Sequence, residues 1–347
     1  MSKYKTPNSR VVQHKKKRKL RKRVFFVLIP LVVFLSALGY AAYLYMQADS
    51  VLSDAYDDSG KEKSDLREKI VDPKFDNVSV LIMGVDSSEK RENADTSRTD
   101  TMMVATLNKE DNSVNLLSIP RDSYVYIPEV GRESKINHAH AYGGTDAARE
   151  TVENLLDIPI DYYVKVNFEA FIDVVDAIDG IDFDVPYEFQ EQDSKDKANA
   201  IHLLAGEQKL DGEEALALAR TRKKDNDVER GKRQQEIIKA IMDKSTSLSS
   251  ILKFDDIIRA VGSNMSTNMS PSEVKSFVSY GTKGNLDINT LTLEGNDYQP
   301  GSTYYWQIDE LALEDTKKTL QEHLDYRSTT LTDNNEQENS VDRASGY

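Results

Sequence analysis

The sequence predicts an α/β (α+β) sandwich whose central mixed sheet is flanked by helices, preceded by one N-terminal transmembrane helix. Three observations predict this architecture: an uncharged apolar run at residues 24–46, several short strand-like apolar runs, and segments of helical spacing that alternate with those runs. Alternation of the two kinds of segment is typical of folds that layer helices against a sheet. With 347 residues and 39% hydrophobic content, the chain is long enough to bury a sizeable core.

The N-terminal segment has the pattern of an uncleaved membrane anchor. Residues 1–23 contain eleven Lys or Arg and no acidic residue, and the 23 residues that follow, 24–46, carry no charge. Such a run can span a bilayer, is longer than the apolar region of a removable signal peptide, and ends in tyrosines suited to the membrane interface. The positive-inside rule predicts a single-pass protein of the cell membrane with a cytoplasmic basic tail (1–23) and an extracellular remainder.

Composition divides the rest of the chain into three parts. Residues 47–74 are polar and rich in Asp, Ser, Lys and Glu, which is typical of an extracellular stalk. The apolar runs begin near Phe75, so the folded domain is predicted over 75–325. Residues 326–347 contain few large apolar side chains, and we predict a disordered tail there.

The overall balance of charges and the absence of cysteine exclude several classes of protein. Outside residues 1–23 the chain carries 34 basic against 59 acidic residues, so the exported domain is strongly acidic and no nucleic-acid partner is expected. No cysteine is present, which excludes disulfides and cysteine-based zinc sites, and the five histidines are scattered. No phosphate-binding Gly-x-x-x-x-Gly-Lys loop and no Gly-x-Ser-x-Gly elbow occurs, which argues against an NTPase or a serine hydrolase.

The apolar patterns place the elements in order along the domain. The strand-like runs are Val78–Asp86, Met102–Leu107, Val114–Ile119 and Tyr162–Phe168. Helical spacing or helix-start signals predict helices at Thr145–Leu156, Glu169–Ile178, the segment that follows Asp211, Asp227–Ser245, Phe254–Gly262, Pro271–Tyr280 and Gln307–His323. Residues 187–199 are acidic and polar and are predicted to form a loop.

Two carboxylates and an arginine follow the first predicted strand and precede the second. Asp86 ends the first run, and Arg98-Thr-Asp100 lies just before the next. Loops beyond strand ends gather ligand groups, and paired carboxylates there can hold a magnesium ion beside phosphate oxygens. Arg98 and Asp100 share a face if their segment is extended. A surface salt bridge or a capped turn is the alternative for either aspartate on its own.

Further cationic side chains follow at later strand ends. Pro120-Arg121-Asp122 comes directly after the third strand, and the planar guanidinium of Arg121 suits bidentate contact with phosphate. Lys135 could neutralise a phosphate, although Lys135-Ile-Asn137 is also compatible with an ordinary polar turn before a helix.

The segment 220–234 places charged groups on the side of a helix that should be apolar. Counted at 100° per residue from Asp227, Arg230 and Gln234 fall on the stripe of three isoleucines, Ile237, Ile238 and Ile241. We therefore predict a helix whose far end seals a core and whose first turns line a polar cavity that holds an anion. Arg220, Arg222 and Arg233 are predicted to approach the same cavity.

The candidate site thus concentrates positive charge within an acidic domain. Local rather than total charge steers anions, so a multiply charged anion such as a pyrophosphate would account for the cluster. The seven cationic groups are Arg98, Arg121, Lys135, Arg220, Arg222, Arg230 and Arg233.

In their order and spacing, these motifs resemble those of the LytR-CpsA-Psr family, the membrane-anchored enzymes of Gram-positive cell walls. The matching segments are Leu81–Asp86, Ser97–Met102, Ser118–Asp122, Lys135–Ala139, Leu210–Leu216, Ala219–Arg222 and Asp227–Gln234. The resemblance implies a magnesium-dependent transferase, with manganese as a possible substitute. It would move an anionic glycopolymer, of teichoic acid or capsule type, from a polyprenyl-pyrophosphate carrier to a hydroxyl of peptidoglycan.

The resemblance also implies roles for individual residues. Asp86 and Asp100 would bind magnesium, and the catalytic groups would be Arg98, Asp100, Arg121 and Asp122. The pyrophosphate oxygens would be held by Arg98, Arg121, Lys135, Arg220, Arg222, Arg230, Arg233 and Gln234. Asp122 or Asp100 could take the proton of the incoming hydroxyl, and the sequence assigns neither as the general base.

Two further expectations follow from this resemblance. The lipid needs an apolar channel beside the charges, and Phe168–Gly180 and Ile237–Met242 are candidates for its walls, an ordinary core being the alternative. Two other functions remain open: a pyrophosphatase that acts on the same carriers with water as acceptor, and a cell-envelope regulatory protein, since family members have been labelled transcriptional attenuators.

Overall fold

The computed structural model describes residue 56 and residues 63–85, 98–224, 227–245, 264–282 and 286–326. The predicted anchor, Asp86, the predicted helix Phe254–Gly262 and almost all of the predicted tail lie outside these residues. Among the helices within these ranges, none has the length and apolar character needed to cross a membrane.

Strands and helices alternate along the described domain. The strands are β1 (Val78–Val85), β2 (Thr99–Asn108), β3 (Ser113–Ser118), β4 (Tyr124–Ile127), β5 (Arg132–Lys135), β6 (Tyr162–Val166), β7 (Ile181–Val185), β8 (Phe189–Glu191), β9 (Ile201–Leu203), β10 (Gly206–Leu210), β11 (Met265–Thr267), β12 (Asp287–Thr292), β13 (Gly295–Tyr298) and β14 (Tyr305–Ile308). The helices are α1 (His138–Leu156), α2 (Phe168–Ala177), α3 (Gly212–Arg220), α4 (Asp227–Ser245), α5 (Pro271–Thr282) and α6 (Glu310–His323).

Six strands form the central sheet, in the order β11-β6-β1-β2-β3-β12. β2 runs antiparallel to both β1 and β3, whereas β6 is parallel to β1 and β12 is parallel to β3. The sheet is therefore mixed, as predicted. The remaining described strands form two-stranded pairs: β4 with β5, β7 with β10, β8 with β9, and β13 with β14.

Successive side chains of the central strands enter different cores, as the pleat requires. Leu81 and Met83 of β1 pack in a cluster with apolar residues of α1 and α6. Val80 of β1 and Met103 of β2 belong to a second cluster, which residues of α4 and α5 cover. The sheet is thus buried on both faces, which explains why β1, β2 and β3 read as continuous apolar runs rather than as alternating ones. The predicted sandwich of helices and a mixed sheet is confirmed for the described residues.

A third cluster joins α2, α3 and the β7–β10 pair. α3 starts where the sequence predicted a helix start, after Asp211. The Asp211 side chain accepts a hydrogen bond from the Glu214 backbone N–H, and the Glu214 carboxylate accepts one from the Asp211 backbone N–H. Gly212 permits close packing here: a Cβ at this position would lie 2.5 Å from the carbonyl oxygen of Ile172 in α2. α2 and α3 are thereby held together at the side of the cavity described below.

Several element boundaries differ from the predictions. α1 starts at His138 rather than at Thr145, and the non-helical backbone of Gly143 and Gly144 interrupts it just before the predicted start. Gln307, the predicted start of the last helix, lies instead in β14, and Asp309 caps the helix. The polar segment 187–199 contains the short strand β8.

Residues 63–74, in the segment predicted as stalk, contact the domain. The Arg67 guanidinium donates to both carboxylate oxygens of Asp161, at 2.8 and 2.7 Å, and to the Asn77 carbonyl at 3.1 Å. Asp161 also accepts from the backbone N–H of Ser79, the second residue of β1, at 2.9 Å. Arg67 and Asp161 therefore connect residues 63–74 to the start of β1.

His323, at the end of α6, bonds to two strands through both ring nitrogens. Nδ1 lies 2.8 Å from Thr106 Oγ1 and Nε2 lies 2.9 Å from Ser113 Oγ. Burial lowers the pKa of His323, and the nearby charge of Asp111 only partly opposes this effect. The folded protein therefore favours the neutral imidazole.

The lowered pKa predicts that acid weakens the fold. As pH falls below about 6.5, the unfolded chain takes up a proton at His323 that the folded chain does not bind, so the free energy of unfolding decreases. Replacing His323 with glutamine should reduce this pH dependence. Urea unfolding between pH 8 and 5, followed by the fluorescence of Trp306, the single tryptophan, measures it. His202→Gln, at an exposed histidine, is the matched control, and an unchanged slope in the His323 variant would contradict the assignment.

Candidate active site

A cavity of about 790 Å³ lies between the central sheet and helices α2, α3 and α4. One part of its lining is charged or polar and includes Asp100, Arg121, Arg220, Arg222, Lys223, Arg230 and Gln234. The other part is apolar and includes Ile82, Met103, Val166, Phe168, Phe171, Val174, Leu216, Ile237, Ile238 and Ile241. Glu191 and Gln192 also border the cavity.

Helix α4 carries the change from charged to apolar lining along its length. Arg230 and Gln234 line the cavity in its first turns, and Ile237, Ile238 and Ile241 line it farther along, in agreement with the stripe read from the sequence. Arg230 and Ile241 are eleven residues apart, which corresponds to about 16 Å at the rise of an α-helix. The cavity is therefore amphipathic, and its long direction follows α4.

The predicted apolar walls are both present. Phe168, Phe171 and Val174 of α2 line the same cavity as the α4 isoleucines. The guanidinium of Arg220 lies 4.5 Å from the centre of the Phe168 ring, a contact that holds this cation at the border between the two parts of the lining.

Asp100 reaches the cavity through an irregularity in the sheet. Gly84 pairs with Thr101 and Val85 pairs with Thr99, so the register shift leaves Asp100 without a partner in β1. Such a bulge redirects a side chain. It also changes the alternation, so that Asp100 lines the cavity whereas Arg98 is exposed and does not line it. The predicted common face of Arg98 and Asp100 is therefore not formed.

Arg121 is the centre of an ion network at the charged part of the cavity. Its Nη1 donates to Asp100 Oδ1 at 2.8 Å, and its Nε lies 3.4 Å from Asp227 Oδ2 and 3.9 Å from Asp122 Oδ2. Three carboxylates thus fix the guanidinium at the end of β3. A fixed guanidinium is suited to bind a phosphate without a large loss of side-chain entropy.

Arg230 is buried beside Arg121 and keeps its charge. Its Nη1 lies 2.8 Å from Asp227 Oδ1. Burial lowers the pKa of Arg230 to about 10, the Asp227 carboxylate opposes this effect, and the cations of Arg222 and Arg121 add to it. Arg230 remains protonated at neutral pH, so it brings a positive charge to the cavity lining.

The close approach of Arg230 to Arg121 depends on the next residue, Gly231. A Cβ at Gly231 would lie 2.6 Å from Ser118 Oγ, so the absence of a side chain lets α4 lie directly against the end of β3.

Several buried polar atoms in this ion network lack a well-aligned hydrogen bond. Arg121 Nε, Arg230 Nη1 and Asp227 Oδ2 are buried and, within the described residues, make ion pairs without a hydrogen bond of acceptable geometry. Buried donors without a well-aligned acceptor are costly. The five cationic side chains of the lining outnumber its carboxylates, Asp100 and Glu191, so the charge of the cavity favours an anion.

Lys135 and Asp122 form a pair beyond Arg121 and outside the cavity lining. Lys135 Nζ lies 2.8 Å from Asp122 Oδ1, and Asp122 is buried. Of the two aspartates that the sequence left open as proton acceptor, Asp100 is the one on the cavity. Asp122 instead pairs with Lys135, and its Oδ2 lies 3.9 Å from Arg121 Nε.

Arg233 departs from the prediction that it binds the pyrophosphate. It is buried, does not line the cavity, and donates from Nε to the Leu218 carbonyl at 2.8 Å and from Nη2 to the Thr221 carbonyl at 2.7 Å. At 100° per residue it lies about 60° from Arg230, just outside the edge of the stripe that lines the cavity. Its neighbour Gln234 lines the cavity and also donates to the Ala219 carbonyl, at 3.0 Å. Arg233 therefore positions the end of α3, where Arg220 lies, and the Thr221–Arg222 segment that follows.

This role predicts a loss of stability on replacing Arg233 with alanine. Two buried carbonyls would lose a charged donor, so the free energy of unfolding should decrease by about 3 kcal/mol. Urea unfolding measures this change. Lys232→Ala, an exposed neighbour on the same helix, should alter stability by less than about 0.5 kcal/mol. Equal effects of the two substitutions would contradict the structural role of Arg233.

Two side chains of the site were not among the sequence-based candidates. Asp227 pairs with both Arg121 and Arg230, and Lys223 lines the cavity. Asp227 began the charged stripe of α4, so its position on that stripe was the available signal. Lys223 lies in a run of basic residues after α3 in which spacing alone does not distinguish one cation from the next.

The described residues supply one of the two predicted magnesium ligands. Asp100 lines the cavity with its side chain 44% exposed, and Val85, which precedes Asp86 in the sequence, pairs with Thr99, next to Asp100. Carboxylate oxygens at such a position suit a magnesium ion, which commonly combines one or two carboxylates with phosphate oxygens and water. No group of three or more His, Cys, Asp or Glu arranged to hold a metal occurs among the described residues.

Comparison with known proteins agrees with this geometry. A family model described as the LytR_cpsA_psr family matches residues 42–322. The chain belongs to this family.

Named relatives within the LytR_cpsA_psr family are similar over most of their length. The chain is 41% identical over 317 residues to the polyisoprenyl-teichoic acid--peptidoglycan teichoic acid transferase TagT of Bacillus subtilis (strain 168). This match covers 90% of this chain and 98% of the relative. It is 38% identical over 289 residues to an uncharacterized protein of Staphylococcus aureus (strain NCTC 8325 / PS 47), covering 82% of this chain and 71% of that protein.

A solved structure in the family contains a lipid. The LytR-CPS2A-psr family protein YwtF (TagT) with bound octaprenyl pyrophosphate lipid has a TM-score of 0.62 and 37% identity, and the match covers 77% of this chain and 98% of that chain.

Proposed function

We propose that this protein is a phosphotransferase that moves an anionic glycopolymer of the teichoic acid type from a polyprenyl-pyrophosphate carrier to a hydroxyl of peptidoglycan. The observation that carries the proposal is the amphipathic cavity, in which a cluster of guanidinium groups continues into a wall of aliphatic and aromatic side chains. A prenyl pyrophosphate has the same two parts. The names of the relatives support the proposal, because several are teichoic acid transferases.

The chemistry of this cavity suits binding and charge stabilisation. Arg121, Arg220, Arg222 and Arg230 would contact the pyrophosphate oxygens, while the prenyl chain would lie between α2 and α4. Phosphoryl transfer depends mainly on positioning and on neutralising negative charge, which these fixed guanidinium groups supply. Arg98 and Lys135 are not part of the cavity lining, and in this proposal Lys135 acts on the side of Arg121 away from the lipid.

The reaction exchanges a phosphoanhydride bond for a phosphate ester bond. The acceptor hydroxyl oxygen forms a bond to the phosphorus that carries the glycopolymer, the bond from that phosphorus to the bridging oxygen breaks, and polyprenyl phosphate leaves. The hydroxyl proton passes to a general base. Neither candidate aspartate is assigned this role, because Asp100 would bind magnesium and Asp122 is paired with Lys135.

Magnesium, or manganese in its place, would be held by Asp100 together with Asp86. The ion would neutralise charge on the pyrophosphate. Arg121 holds Asp100 at 2.8 Å and thereby orients its carboxylate toward the cavity.

We also propose that the protein is anchored in the cell membrane by residues 24–46, with the basic tail in the cytoplasm and the domain outside. The apolar run and its basic flank support this topology. A reporter fused after Tyr347 should be active if it is one that works only outside the cytoplasm. Activity of a reporter that works only in the cytoplasm would contradict the proposal.

Product analysis with a purified lipid-linked teichoic acid precursor tests the transferase function. Release of polyprenyl phosphate should require peptidoglycan, and glycopolymer phosphate should appear on the peptidoglycan in equal amount. Release of the same product without any acceptor would instead support a pyrophosphatase. Absence of release under both conditions, with lipid bound, would favour a binding or regulatory protein.

A further inference from the structure

A group of aromatic side chains lies beside the charged end of the cavity and plays no part in the site described above. Three tyrosine rings converge there: the ring centres of Tyr124 and Tyr305 are 4.8 Å apart, those of Tyr124 and Tyr298 are 5.5 Å apart, and those of Tyr298 and Tyr305 are 6.3 Å apart. All three tyrosines are partly exposed. We call them the tyrosine cluster.

The tyrosine cluster is built on the hairpin of β13 and β14 together with β4. Tyr298 and Tyr305 are paired residues of the hairpin, and Tyr124 is the first residue of β4. The backbone N–H of Trp306 donates to the Asp122 carbonyl at 2.8 Å, which fixes the hairpin directly to the residue that follows Arg121. The cluster therefore has a defined position relative to the phosphate-binding arginines.

Lys135 links the tyrosine cluster to the ion network. Its ammonium nitrogen lies 5.7 Å from the ring centre of Tyr305 and 5.9 Å from that of Tyr304, while it pairs with Asp122 at 2.8 Å. Tyr304 is close to the same carboxylates: burial and a hydrogen bond to Asp297 raise its pKa to about 12, and the charges of Asp227 and Asp122 add to that effect. Aromatic faces thus lie next to charged hydrogen-bonding groups.

This combination suits a sugar ring. The rings offer flat apolar faces for the C–H surface of a pyranose, and tyrosine hydroxyls, the lysine and the aspartate offer partners for its hydroxyl groups. The cluster is partly exposed, so a polymer could extend from it into solvent.

The position of the tyrosine cluster identifies which sugar it can bind. In an in-line displacement, the attacking and leaving oxygens lie on opposite sides of the phosphorus. The leaving phosphate carries the prenyl chain into the cavity, so the acceptor hydroxyl must approach from the other side. Asp122, Lys135 and the tyrosines do not line the cavity, yet a chain of contacts from Arg121 through Asp122 to Lys135 and Tyr305 places them next to the phosphate-binding arginines. They are therefore candidates for the groups that receive the acceptor.

We infer that Tyr124, Tyr298 and Tyr305, together with Lys135, form the subsite that binds a sugar ring of the acceptor glycan. The inference rests on the proposed transfer function. In this inference the β13–β14 hairpin recognises the acceptor and the cavity between α2 and α4 recognises the lipid. A substitution at one place should therefore weaken binding of one ligand without affecting the other.

Binding measurements on the full chain in detergent micelles separate the two subsites. The probes are peptide-free oligosaccharides of peptidoglycan, octaprenyl pyrophosphate, and the same lipid carrying the glycopolymer sugars. Tyr305→Leu keeps apolar bulk without an aromatic face and should weaken oligosaccharide binding about tenfold. Its affinity for octaprenyl pyrophosphate should be unchanged. Tyr298→Ala, on the facing strand, is a second variant should the first fail to fold.

Phe75→Ala is the matched control, because Phe75 is an exposed aromatic residue with a lysine over its ring at 5.2 Å and has no ring contact with the tyrosine cluster among the described residues. It should leave oligosaccharide binding unchanged. Unchanged oligosaccharide affinity in folded Tyr305→Leu and Tyr298→Ala would overturn the inference. Weaker binding of the sugar-bearing lipid with normal oligosaccharide binding would also overturn it, in favour of a donor-sugar subsite.

The two proposals fail in different ways. Oligosaccharide binding does not require turnover. If the protein binds the oligosaccharide through Tyr305 but has no transferase activity, the proposed reaction is wrong and the acceptor subsite stands. An active transferase whose acceptor KM is unaffected by Tyr305→Leu contradicts only the subsite.

Discussion

Replacing Arg121 with alanine should lower the rate of transfer by about a thousandfold, since a fixed guanidinium on a transferring phosphoryl group contributes that much in comparable sites. The substitution removes a phosphate ligand and also leaves Asp100, Asp122 and Asp227 without the cation they surround. The repulsion among these carboxylates would further oppose binding of an anion. Release of polyprenyl phosphate per unit time, at saturating donor, measures the effect.

Two further variants make this result interpretable. Arg121→Lys keeps the charge but not the planar fork, so it should restore only part of the activity. Lys317→Ala removes a cation that pairs with Glu314 on α6 and should leave the rate unchanged. A rate for Arg121→Ala within tenfold of the unsubstituted protein, with the fold intact by urea unfolding, would exclude Arg121 from the reaction.

Replacing Val174 with tryptophan should weaken binding of octaprenyl pyrophosphate by about a hundredfold, because a large ring in the apolar wall would displace several methylene groups of the prenyl chain. Val174 of α2 lines the same cavity as the isoleucines of α4. Inorganic pyrophosphate, which has no chain, should bind with unchanged affinity. Titration of both ligands into the same variant measures the two effects separately.

Controls for the cavity variant test bulk and position. Val174→Ala enlarges the cavity and should change lipid affinity only slightly, while Lys318→Trp places the same ring at a side chain that is 75% exposed on α6. Equal lipid affinity in Val174→Trp and Lys318→Trp would show that the prenyl chain does not lie between α2 and α4.

The central part of the fold was readable from the sequence because its strands are buried on both faces. β1, β2, β3 and β6 give continuous apolar runs, and all four were predicted. The edge strand β12 was not predicted, because Asp287, Asn289 and its threonines have no apolar period. β11 has three residues, too few for a pattern.

Part of the site could be predicted from the sequence, because charged residues occupied helix positions that are normally apolar and buried. Arg230 and Gln234 on the isoleucine stripe led directly to the cavity lining. The placement of Asp100 depends on a register shift between paired strands, and that of Arg233 on which carbonyls end α3. Both are tertiary features, and a linear pattern does not contain them. The tyrosine cluster joins β4 to a hairpin far along the chain, so no local pattern predicts it either.

A crystal structure of the protein with octaprenyl pyrophosphate bound would locate both parts of the lipid. We expect the pyrophosphate to contact Arg121, Arg220, Arg222 and Arg230, and the prenyl chain to pass between α2 and α4 along the isoleucines of α4. A pyrophosphate bound away from these arginines, or a prenyl chain bound outside this cavity, would contradict the assignment of the site and the transfer function built on it.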